Sequence, residues 1–471
     1  MDTKKLRQKI LDLAIHGKLV PQDPNDEPAS VLLEHIKAEK ERLIKEGKIK
    51  GSKKSAKASD TPHYEQVKLE VPNSWYMVSV SDLFLLNPKS ELEDNMKVGF
   101  IPMALVEDGF SGNHFYEERT WKDVKRGYCH FQNGDIGIAK ISPCFENRKS
   151  TIFKNLPNTY GAGTTELVIL RPIKVYTKFY LYLFKSDWYV KEGTKYFKGV
   201  VGQQRVHKEI FTDLHIPLPP FAEQQRIVEE IEYWFALIDQ IEQDKSDLQT
   251  AIRQTKSKIL DLAIHGKLVP QNPNDEPASE LLKRINPKAE ITCDNGHYPV
   301  GWIDVILGDI FYHNTGKALN SSNKEGVLRN YLTTSNVYWN QFDLSLVKQM
   351  PFRDNELEKC TVQKGDLLVC EGGDVGRSAI WNFDYNICIQ NHIHRLRPKG
   401  DLNVSFYYYV LRFLKKHNRI GGKGIGLLGL SSNELHKIGM PLPPRKEQDR
   451  IVLKIEELFS VLDNIQNALE A

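Results

Sequence analysis

A glycine cluster near the end of this 471-residue chain has the spacing of a dinucleotide-binding loop. Gly424, Gly426 and Gly429 fit the pattern G-x-G-x-x-G, and Asp449 lies at about the distance expected of a ribose partner. That fingerprint requires a strand immediately before it, whereas the residues through Leu414 predict a helix. We therefore interpret the cluster as a glycine-rich loop.

Motifs for phosphate cleavage and methyl transfer are incomplete. A phosphate-binding loop ends in Gly-Lys followed by Ser or Thr, but the five Gly-Lys pairs of this chain are followed by Leu, Ile, Leu, Ala and Gly. An N6-adenine methyltransferase needs Asp or Asn before Pro-Pro-aromatic to hold the amino group of a flipped base. The nearest match places Leu218 there. The sequence therefore predicts no catalytic residue.

Cysteine and histidine spacing does not predict a metal site. The six cysteines form no C-x-x-C pair, which argues against a zinc site and against a disulfide framework. His392 and His394 alternate on a predicted strand, but no Cys or carboxylate companion is found for them.

Two segments of the chain occur twice. Residues 9–30 and 258–279 differ only at Asp23 and Asn272, and residues 216–239 match residues 440–463 through the pattern PLPP-x-x-EQ-x-RIV. Each half therefore runs from a repeated segment through a variable domain to a PLPP helix. The chain ends almost where the repeat would begin again, which predicts a pseudo-two-fold circular arrangement whose termini rebuild a copy of the central element.

The central element is predicted to be one long helix over residues 221–265. Apolar residues recur there in steps of four and three, the period of a coiled-coil seam. At 1.5 Å per residue the helix would be about 68 Å long. We expect most of this seam to be buried. Its apolar positions are Ile231, Trp234, Ile238, Ile241, Leu248, Ile252, Ile259 and Leu262.

The chain divides into five predicted segments. These are residues 1–60 (helical segment and lysine-rich linker), 61–215 (first variable domain), 216–290 (central helix and repeat), 291–439 (second variable domain) and 440–471 (C-terminal helix). Residues 47–60 are interpreted as a mobile linker, with DNA contact as the alternative. Short β-branched and aromatic runs, Gly-Asp turns and one late helix predict an α+β fold with bent sheets for both variable domains.

Composition indicates a cytoplasmic protein with several cores. The chain has 40% hydrophobic and 27% charged residues, a net charge of +3, and no apolar run long enough to cross a bilayer. Asp12 interrupts the apolar part of the amino-terminal segment, so that segment is predicted to be an amphipathic helix rather than a signal peptide.

The repeated segments, the PLPP helices, the GDI and GDL turns and the circular order resemble the specificity subunit of a type I restriction-modification enzyme. The resemblance covers essentially the whole chain. It implies two target-recognition domains, joined by antiparallel helices, that each read one half of a bipartite, asymmetric DNA site. It also implies two modification subunits that methylate adenine at N6 with S-adenosylmethionine, and restriction subunits that use ATP and Mg²⁺. This chain would bind no cofactor.

Candidate DNA contacts are cations for the phosphates and planar side chains for the base edges. For each candidate, the alternative to DNA contact is a purely structural role, as a solvated surface residue or a turn former. The candidates are Lys140, Ser142, Asn147, Arg148, Lys149, Gln203, Gln204 and Arg205 in the first domain, and Arg377, Ser378, Gln390, Asn391, His392 and Lys423 in the second.

The outer faces of the PLPP helices are the predicted dock for the two modification subunits. The candidate contacts there are Gln224, Arg226, Glu230, Trp234, Gln448, Arg450 and Glu457. Two other functions are compatible with the sequence: a self-contained adenine methyltransferase, and a coiled-coil scaffold whose heads bind protein.

Overall fold

The computed structural model describes residues 2–47, 69–195, 197–199, 204–289, 297–319, 325–420 and 430–470. The chain forms two compact units, Met1–Asp244 and Lys245–Ala471. Within the described ranges, every helix is too short or too polar to span a lipid bilayer.

The first unit contains seven helices and twelve strands in its described residues. The helices are α1 (Thr3–Ile15), α2 (Ala29–Lys45), α3 (Val80–Leu83), α4 (Trp121–Val124), α5 (Thr177–Phe184), α6 (Asp187–Thr194) and α7 (Phe221–Ile264), of which α7 continues into the second unit. The strands are β1 (Tyr76–Ser79), β2 (Phe84–Leu86), β3 (Lys97–Ile101), β4 (Glu117–Thr120), β5 (Cys129–Gln132), β6 (Ile136–Ala139), β7 (Ser150–Ile152), β8 (Tyr160–Gly163), β9 (Leu167–Pro172), β10 (Phe197–Lys198), β11 (Arg205–Val206) and β12 (His215–Leu218).

The second unit adds six helices and twelve strands, again among the described residues. The helices are α8 (Ala278–Ile285), α9 (Leu307–Ile310), α10 (Asp354–Cys360), α11 (Val404–Lys416), α12 (Ser432–His436) and α13 (Arg445–Glu470). The strands are β13 (Ile303–Ile306), β14 (Phe311–Thr315), β15 (Val327–Leu332), β16 (Val337–Tyr338), β17 (Gln341–Phe342), β18 (Lys348–Phe352), β19 (Thr361–Val362), β20 (Leu367–Cys370), β21 (Ser378–Ile380), β22 (Ile387–Ile389), β23 (Ile393–Pro398) and β24 (Gly439–Leu442).

Each unit carries one α+β head, and the two heads share one topology. The first head has sheets in the order β2-β9-β6-β7 and β4-β3-β8-β5, and the second has β14-β23-β20-β21 and β18-β15-β22-β19. A parallel pair of strands occurs at the same place in both, between β3 and β8 and between β15 and β22. The predicted α+β class is therefore confirmed, and the two dissimilar sequences form the same fold.

The Gly-Asp turns lock the core sheet of each head. Asp135 is buried, accepts a hydrogen bond from the backbone N–H of Gln132 (2.9 Å), and binds both the Nε and an Nη of Arg171 at 2.9 and 2.8 Å. Asp366 makes the same bonds to Gln363 and Arg397, at 2.8, 2.8 and 2.7 Å. A buried carboxylate needs such partners, because an unpaired charge in a core is costly.

The PLPP-x-x-EQ-x-RIV motif ties three distant segments together in each unit. Its glutamate, Glu223, accepts hydrogen bonds from the indole of Trp75 (2.9 Å) and from the amide of Gln22. Glu447 accepts the same bonds from Trp302 (3.0 Å) and Gln271 (2.7 Å). The helix start, the repeated loop and the entry to the head therefore meet at one buried carboxylate.

Glycine is required beside these tryptophans. Gly17 has φ +64°, and a Cβ there would lie 2.5 Å from Cγ of Pro72. Gly266 has φ +65°, and its Cβ would lie 2.4 Å from Cγ of Pro299. Both positions combine left-handed backbone with a close approach, so a larger residue would displace the loop.

The predicted long helix is confirmed as α7, which has 44 residues. Burial of its apolar stripe is confirmed at Ile231 and Ile252 and is wrong in the middle, where Trp234, Ile241 and Leu248 are 41%, 44% and 41% exposed. Trp234 and Ile241 lie on another face of α7 from the one that α1 covers, because Arg7 of α1 contacts Phe235, Asp239 and Glu242.

Replacing Glu447 with alanine should destabilise the second unit. The buried indole N–H of Trp302 would lose its acceptor, which costs about 1–3 kcal/mol. Glu447→Gln retains one acceptor oxygen and should recover most of this loss. Chemical denaturation of the full chain measures both changes. Glu456→Ala, at an exposed position of the same helix, is the matched control, and an equal loss in that variant would contradict the assignment.

Candidate nucleic-acid interface

The structure brings the two predicted DNA-contacting segments of the first head together. The backbone N–H of Ser142 donates to the carbonyl of Gln204 at 2.9 Å, and the N–H of Val206 donates to the carbonyl of Lys140 at 2.8 Å. Asn147 is exposed and Lys140 is half-buried. Gln203 lies outside the described residues. These contacts form one continuous surface from residues that are distant in sequence.

Several cations of this surface are used inside the head. Arg148 donates from Nε to the carbonyl of Lys185 at 3.0 Å and binds Asp187. Lys149 donates from Nζ to the carbonyl of Val106 at 2.9 Å. Arg148 and Lys149 therefore have partners inside the head, and their contact with phosphates stays a prediction.

Two other polar residues of this surface have acidic partners. The Ser142 hydroxyl donates to Glu146 at 2.6 Å. Arg205 forms a forked pair with Glu166, with a shortest contact of 2.7 Å, and half of its side chain remains exposed. This pairing lowers the pKa of the Glu166 carboxyl. Arg205 is therefore accessible to a ligand, but a ligand that bound its guanidinium would compete with Glu166.

The predicted contacts in the second head are separated into buried and exposed groups. Ser378 is fully buried in β21, and an Nη of Arg377 donates to the carbonyl of Thr334 while its guanidinium lies 4.9 Å from the Tyr338 ring centroid. Burial excludes Ser378 from direct contact with DNA. Lys423 lies outside the described residues.

Residues 390–392 form a turn after β22. The backbone N–H of Asn391 donates to the carbonyl of Lys317 at 2.9 Å. His392 is exposed, and its Nδ1 lies 3.1 Å from Oε2 of Glu371. Gln390 and Asn391 are half-buried, so His392 is the most accessible of the three.

His394 belongs to a buried histidine pair. Its Nδ1 lies 2.9 Å from Nε2 of His313, and its Nε2 donates to the carbonyl of Leu430. Burial lowers the pKa of His394 and lowers the pKa of His313 to about 4. Within the described ranges, no group of three metal-ligating side chains comes together. This pair is therefore a structural hydrogen bond of the core.

A polar cavity of about 530 Å³ in the second head was missed from the sequence. It lies where β15 and β22 separate, and planar side chains line it: Arg329, Asn330, Gln349 and Asn386. The amide of Gln349 donates to Oδ1 of Asn330 at 2.9 Å. The sequence feature that could have indicated it is the polar pair Arg329-Asn330 within the otherwise apolar strand β15.

The equivalent surface of the first head has different chemistry. Asn330 faces Gln349 two residues before the end of β15, and Gly99 faces Glu118 two residues before the end of β3. Lys97 lies 3.5 Å from Glu118. One pair of strands therefore presents two amides in one head and an ion pair in the other.

Some of the predicted partner contacts on the PLPP helices are buried inside their own unit, and others are exposed to solvent. Gln224 is fully buried, where it accepts a hydrogen bond from the N–H of Tyr176 and donates to the carbonyl of Pro219, both at 2.9 Å. Gln448 makes the same bonds to Asn403 and Pro443. The structure thus assigns both glutamines to holding the head on its helix.

Two arginines of the same motif join it to the repeated loop. Arg226 binds Asp26, with a shortest contact of 2.6 Å, and Arg450 binds Asp275 at the same distance. The hydrogen-bonded Arg226 lowers the pKa of the Asp26 carboxyl. Both arginines therefore act within their own unit.

An exposed apolar face remains on the helices. Tyr233, Trp234 and Leu237 of α7 are 58%, 41% and 38% exposed, and the Trp234 indole donates to Glu230 at 2.7 Å. On α13, Leu453 and Val461 are 69% and 54% exposed. Glu457 is exposed there and pairs with Lys454 at 2.9 Å.

Comparison with known proteins gives one consistent family. The family model described as "Type I restriction modification DNA specificity domain" matches residues 72–250 and 299–471. The chain is 33% identical to the type I restriction enzyme EcoAI specificity subunit of Escherichia coli, over 98% of this chain and 90% of that protein. It is 32% identical to the EcoEI specificity subunit of Escherichia coli, over 99% and 91%.

Solved structures share the fold at low sequence identity. A chain from a study of complex assembly and conformational transition of the type I R-M system superposes with a TM-score of 0.60, at 18% identity, over 85% of this chain and 93% of that chain. The HsdS subunit from Thermoanaerobacter tengcongensis gives a TM-score of 0.55 at 18% identity, over 85% and 91%. Since the family model matches both halves and the EcoAI and EcoEI relatives align over nearly the whole length, the chain belongs to the type I restriction-modification DNA specificity subunit family.

Proposed function

We propose that this chain reads a bipartite, asymmetric DNA site, with one head for each half, and positions partner subunits for adenine N6 methylation or DNA cleavage. One observation carries the proposal: the two heads have the same topology but expose different polar groups at equivalent strand positions. A shared scaffold with different surfaces is suited to reading two different sequences.

The exposed groups match the requirements of base recognition. Asparagine and glutamine can bond two edge atoms of adenine, arginine can bond two of guanine, and acidic groups accept from the cytosine amino group. The second head supplies Asn330, Gln349 and Arg329 around one cavity. The first head supplies Glu118 at the matching position. The two half-sites would therefore differ in sequence.

The exposed helix faces are the proposed docks for two modification subunits. Aromatic residues are enriched at the centres of protein interfaces, where they bury large areas with little loss of side-chain entropy. Trp234 is held by Glu230, so part of its ordering cost is met before binding. Restriction subunits would join the same complex.

The chemistry is proposed to belong to the partners. Modification subunits would supply S-adenosylmethionine, and restriction subunits would supply ATP and Mg²⁺, so this chain would bind no cofactor. The complex would work in the cytoplasm, where cellular DNA is accessible to it. The contribution of this chain is then recognition and geometry.

Exchange of one head should change one half of the methylated motif. The chain is co-expressed with its modification subunit in a host without DNA methylation, and N6-methyladenine is mapped by single-molecule sequencing. Residues 72–218 are replaced by the corresponding head of a relative. The expected result is a bipartite motif with one new half and one unchanged half.

The chain is omitted in the control of that experiment. Methylation of the motif should then disappear. An unchanged motif in the absence of the chain would refute the proposed function, and methylation by the isolated chain would refute the assignment of chemistry to partners.

Asn330→Ala and Gln349→Ala should relax the half of the motif that the second head reads. Loss of a bidentate base contact reduces discrimination by about 1–3 kcal/mol, which corresponds to roughly 5- to 150-fold. The measurement is the methylated fraction at every single-base variant of the motif. Asn382→Ala, at an exposed position of the same head, should leave the motif unchanged. Equal relaxation of both halves would contradict base reading by this cavity.

Trp234→Ala should weaken association with a modification subunit. Truncation of a central interface aromatic costs about 2 kcal/mol or more, roughly a 30-fold weaker affinity. Titration of the purified chain with the modification subunit measures the change. Phe115→Ala removes a 61% exposed aromatic from the first head and should bind normally. Normal binding by Trp234→Ala would place the dock elsewhere.

A further inference from the structure

A basic cleft in the second unit has no role in the recognition described above. It has a volume of about 380 Å³ and lies between the second half of α7, the head helix α11 and the C-terminal helix α13. Leu260 and Phe459 form its apolar floor, and Trp339 borders it. Five cations line it: Arg253, Lys256, Arg412, Lys415 and Lys416.

Only two of these cations are neutralised by a described carboxylate. Lys256 pairs with Asp463, and Lys415 pairs with Asp374 at 3.0 Å. Arg253, Arg412 and Lys416 form no ion pair with any carboxylate in the described ranges. Arg253 donates to the hydroxyl of Thr250 at 3.0 Å, which leaves its charge uncompensated.

The cations converge from different helices. Nζ of Lys256 and Cζ of Arg412 lie 5.5 and 5.7 Å from the ring centroid of Phe459. Nζ of Lys416 on α11 lies 3.5 Å from the carbonyl of Arg253 on α7. An aromatic face holds cations in place while leaving their N–H donors free for an anion.

The cation beside the matching aromatic of the first unit is neutralised. The repeat equates Arg7 with Lys256, Asp239 with Asp463 and Glu242 with Gln466. The guanidinium of Arg7 binds both Asp239 and Glu242, and its shortest contact with Glu242 is 3.0 Å. Cζ of Arg7 lies 5.8 Å from the ring centroid of Phe235. The first unit therefore forms the same cation-aromatic contact without excess charge.

The counterpart of Arg412 is also internal. The backbone N–H of Tyr176, just before α5, donates to Gln224, and that of Asn403, just before α11, donates to Gln448. Alignment of Tyr176 with Asn403 matches Lys185 with Arg412. Lys185 is fully buried and donates to the carbonyls of Gly109 and Arg148 at 2.7 and 3.0 Å. Burial lowers the pKa of Lys185 to about 7. The first unit thus packs without an exposed cation at the position of Arg412.

We propose that this cleft binds a phosphate group of the DNA backbone and so fixes the second unit on the duplex. The inference rests on the proposed function. A phosphodiester matches the forked donors of Arg253 and Arg412 and the three uncompensated charges. Phosphate contacts position a protein without reading sequence. The cleft would therefore contribute affinity and register, while the cavity at Asn330 and Gln349 contributes base choice.

The test is the salt dependence of DNA binding by the complex with its modification subunits. A duplex carrying the motif found by sequencing is titrated at several salt concentrations. Arg253→Gln and Lys416→Gln should each reduce the slope of log affinity against log salt by up to about 0.9, the value for one phosphate contact. The methylated motif should stay the same. Arg412→Lys keeps the charge and should lower affinity with little change in slope.

Lys283→Gln is the control, since it removes one charge from an exposed pair with Glu280 on α8. Its slope should equal that of the unaltered complex. Unchanged slopes in Arg253→Gln and Lys416→Gln, within a complex that binds its motif, would overturn this inference alone. Failure of the unaltered complex to bind any motif would overturn the proposed function as well.

Two further outcomes would assign the cleft to another ligand and overturn the inference. One is loss of the modification subunit from the purified Lys416→Gln complex with an unchanged slope, which would indicate an acidic protein segment. The other is thermal stabilisation of the unaltered complex by ATP that the variants lose, again with unchanged slopes, which would indicate a free nucleotide.

Discussion

The buried glutamate in the first turn of each PLPP helix is the contact on which each unit depends. Glu223 and Glu447 each receive an indole and an amide hydrogen bond from segments far away in sequence. Burial raises the pKa of both carboxyls, and the indole and amide donors oppose that effect. Because an unpartnered buried carboxylate is costly, the helix, the repeated loop and the head entry are stable only when assembled together.

The heads are built so that their interiors are fixed and their surfaces are free to differ. In both, a Gly-Asp turn holds an arginine of the central strand through a buried forked pair. The next residues inward are fully buried, such as Ile136 in the first head and Leu367 in the second. On the edge strands β4 and β18 the constraint ends, and Glu118 in the first head is replaced by Gln349 in the second. Exposed positions on an edge strand contribute little to stability, so they can change with the sequence that is read.

The repeats and the helical period were sufficient to predict the long helix, the two α+β heads and the family. They were not sufficient to locate the site. Arg148 and Gln224 have the residue types of a surface contact, but their partners Asp187 and Tyr176 come from elements that periodicity does not bring together. The cavity around Asn330 arises from the separation of two strands that are far apart in sequence. Local pattern therefore predicts elements, while the roles of polar side chains depend on tertiary neighbours.

The differences between the two halves matter more for function than their similarity. The repeated contacts at Glu223 and Glu447 give the two PLPP helices equivalent starts. Reading of the proposed asymmetric DNA site would require the halves to differ elsewhere. The differences occur on the head strands and in the charge beside Phe235 and Phe459, where Glu242 in the first unit is replaced by Gln466 in the second. Clustered cations repel one another, and the first unit achieves the same packing without them. The uncompensated charge of the second unit is therefore best explained by an anion that the complex encounters, and a specificity subunit encounters the DNA backbone.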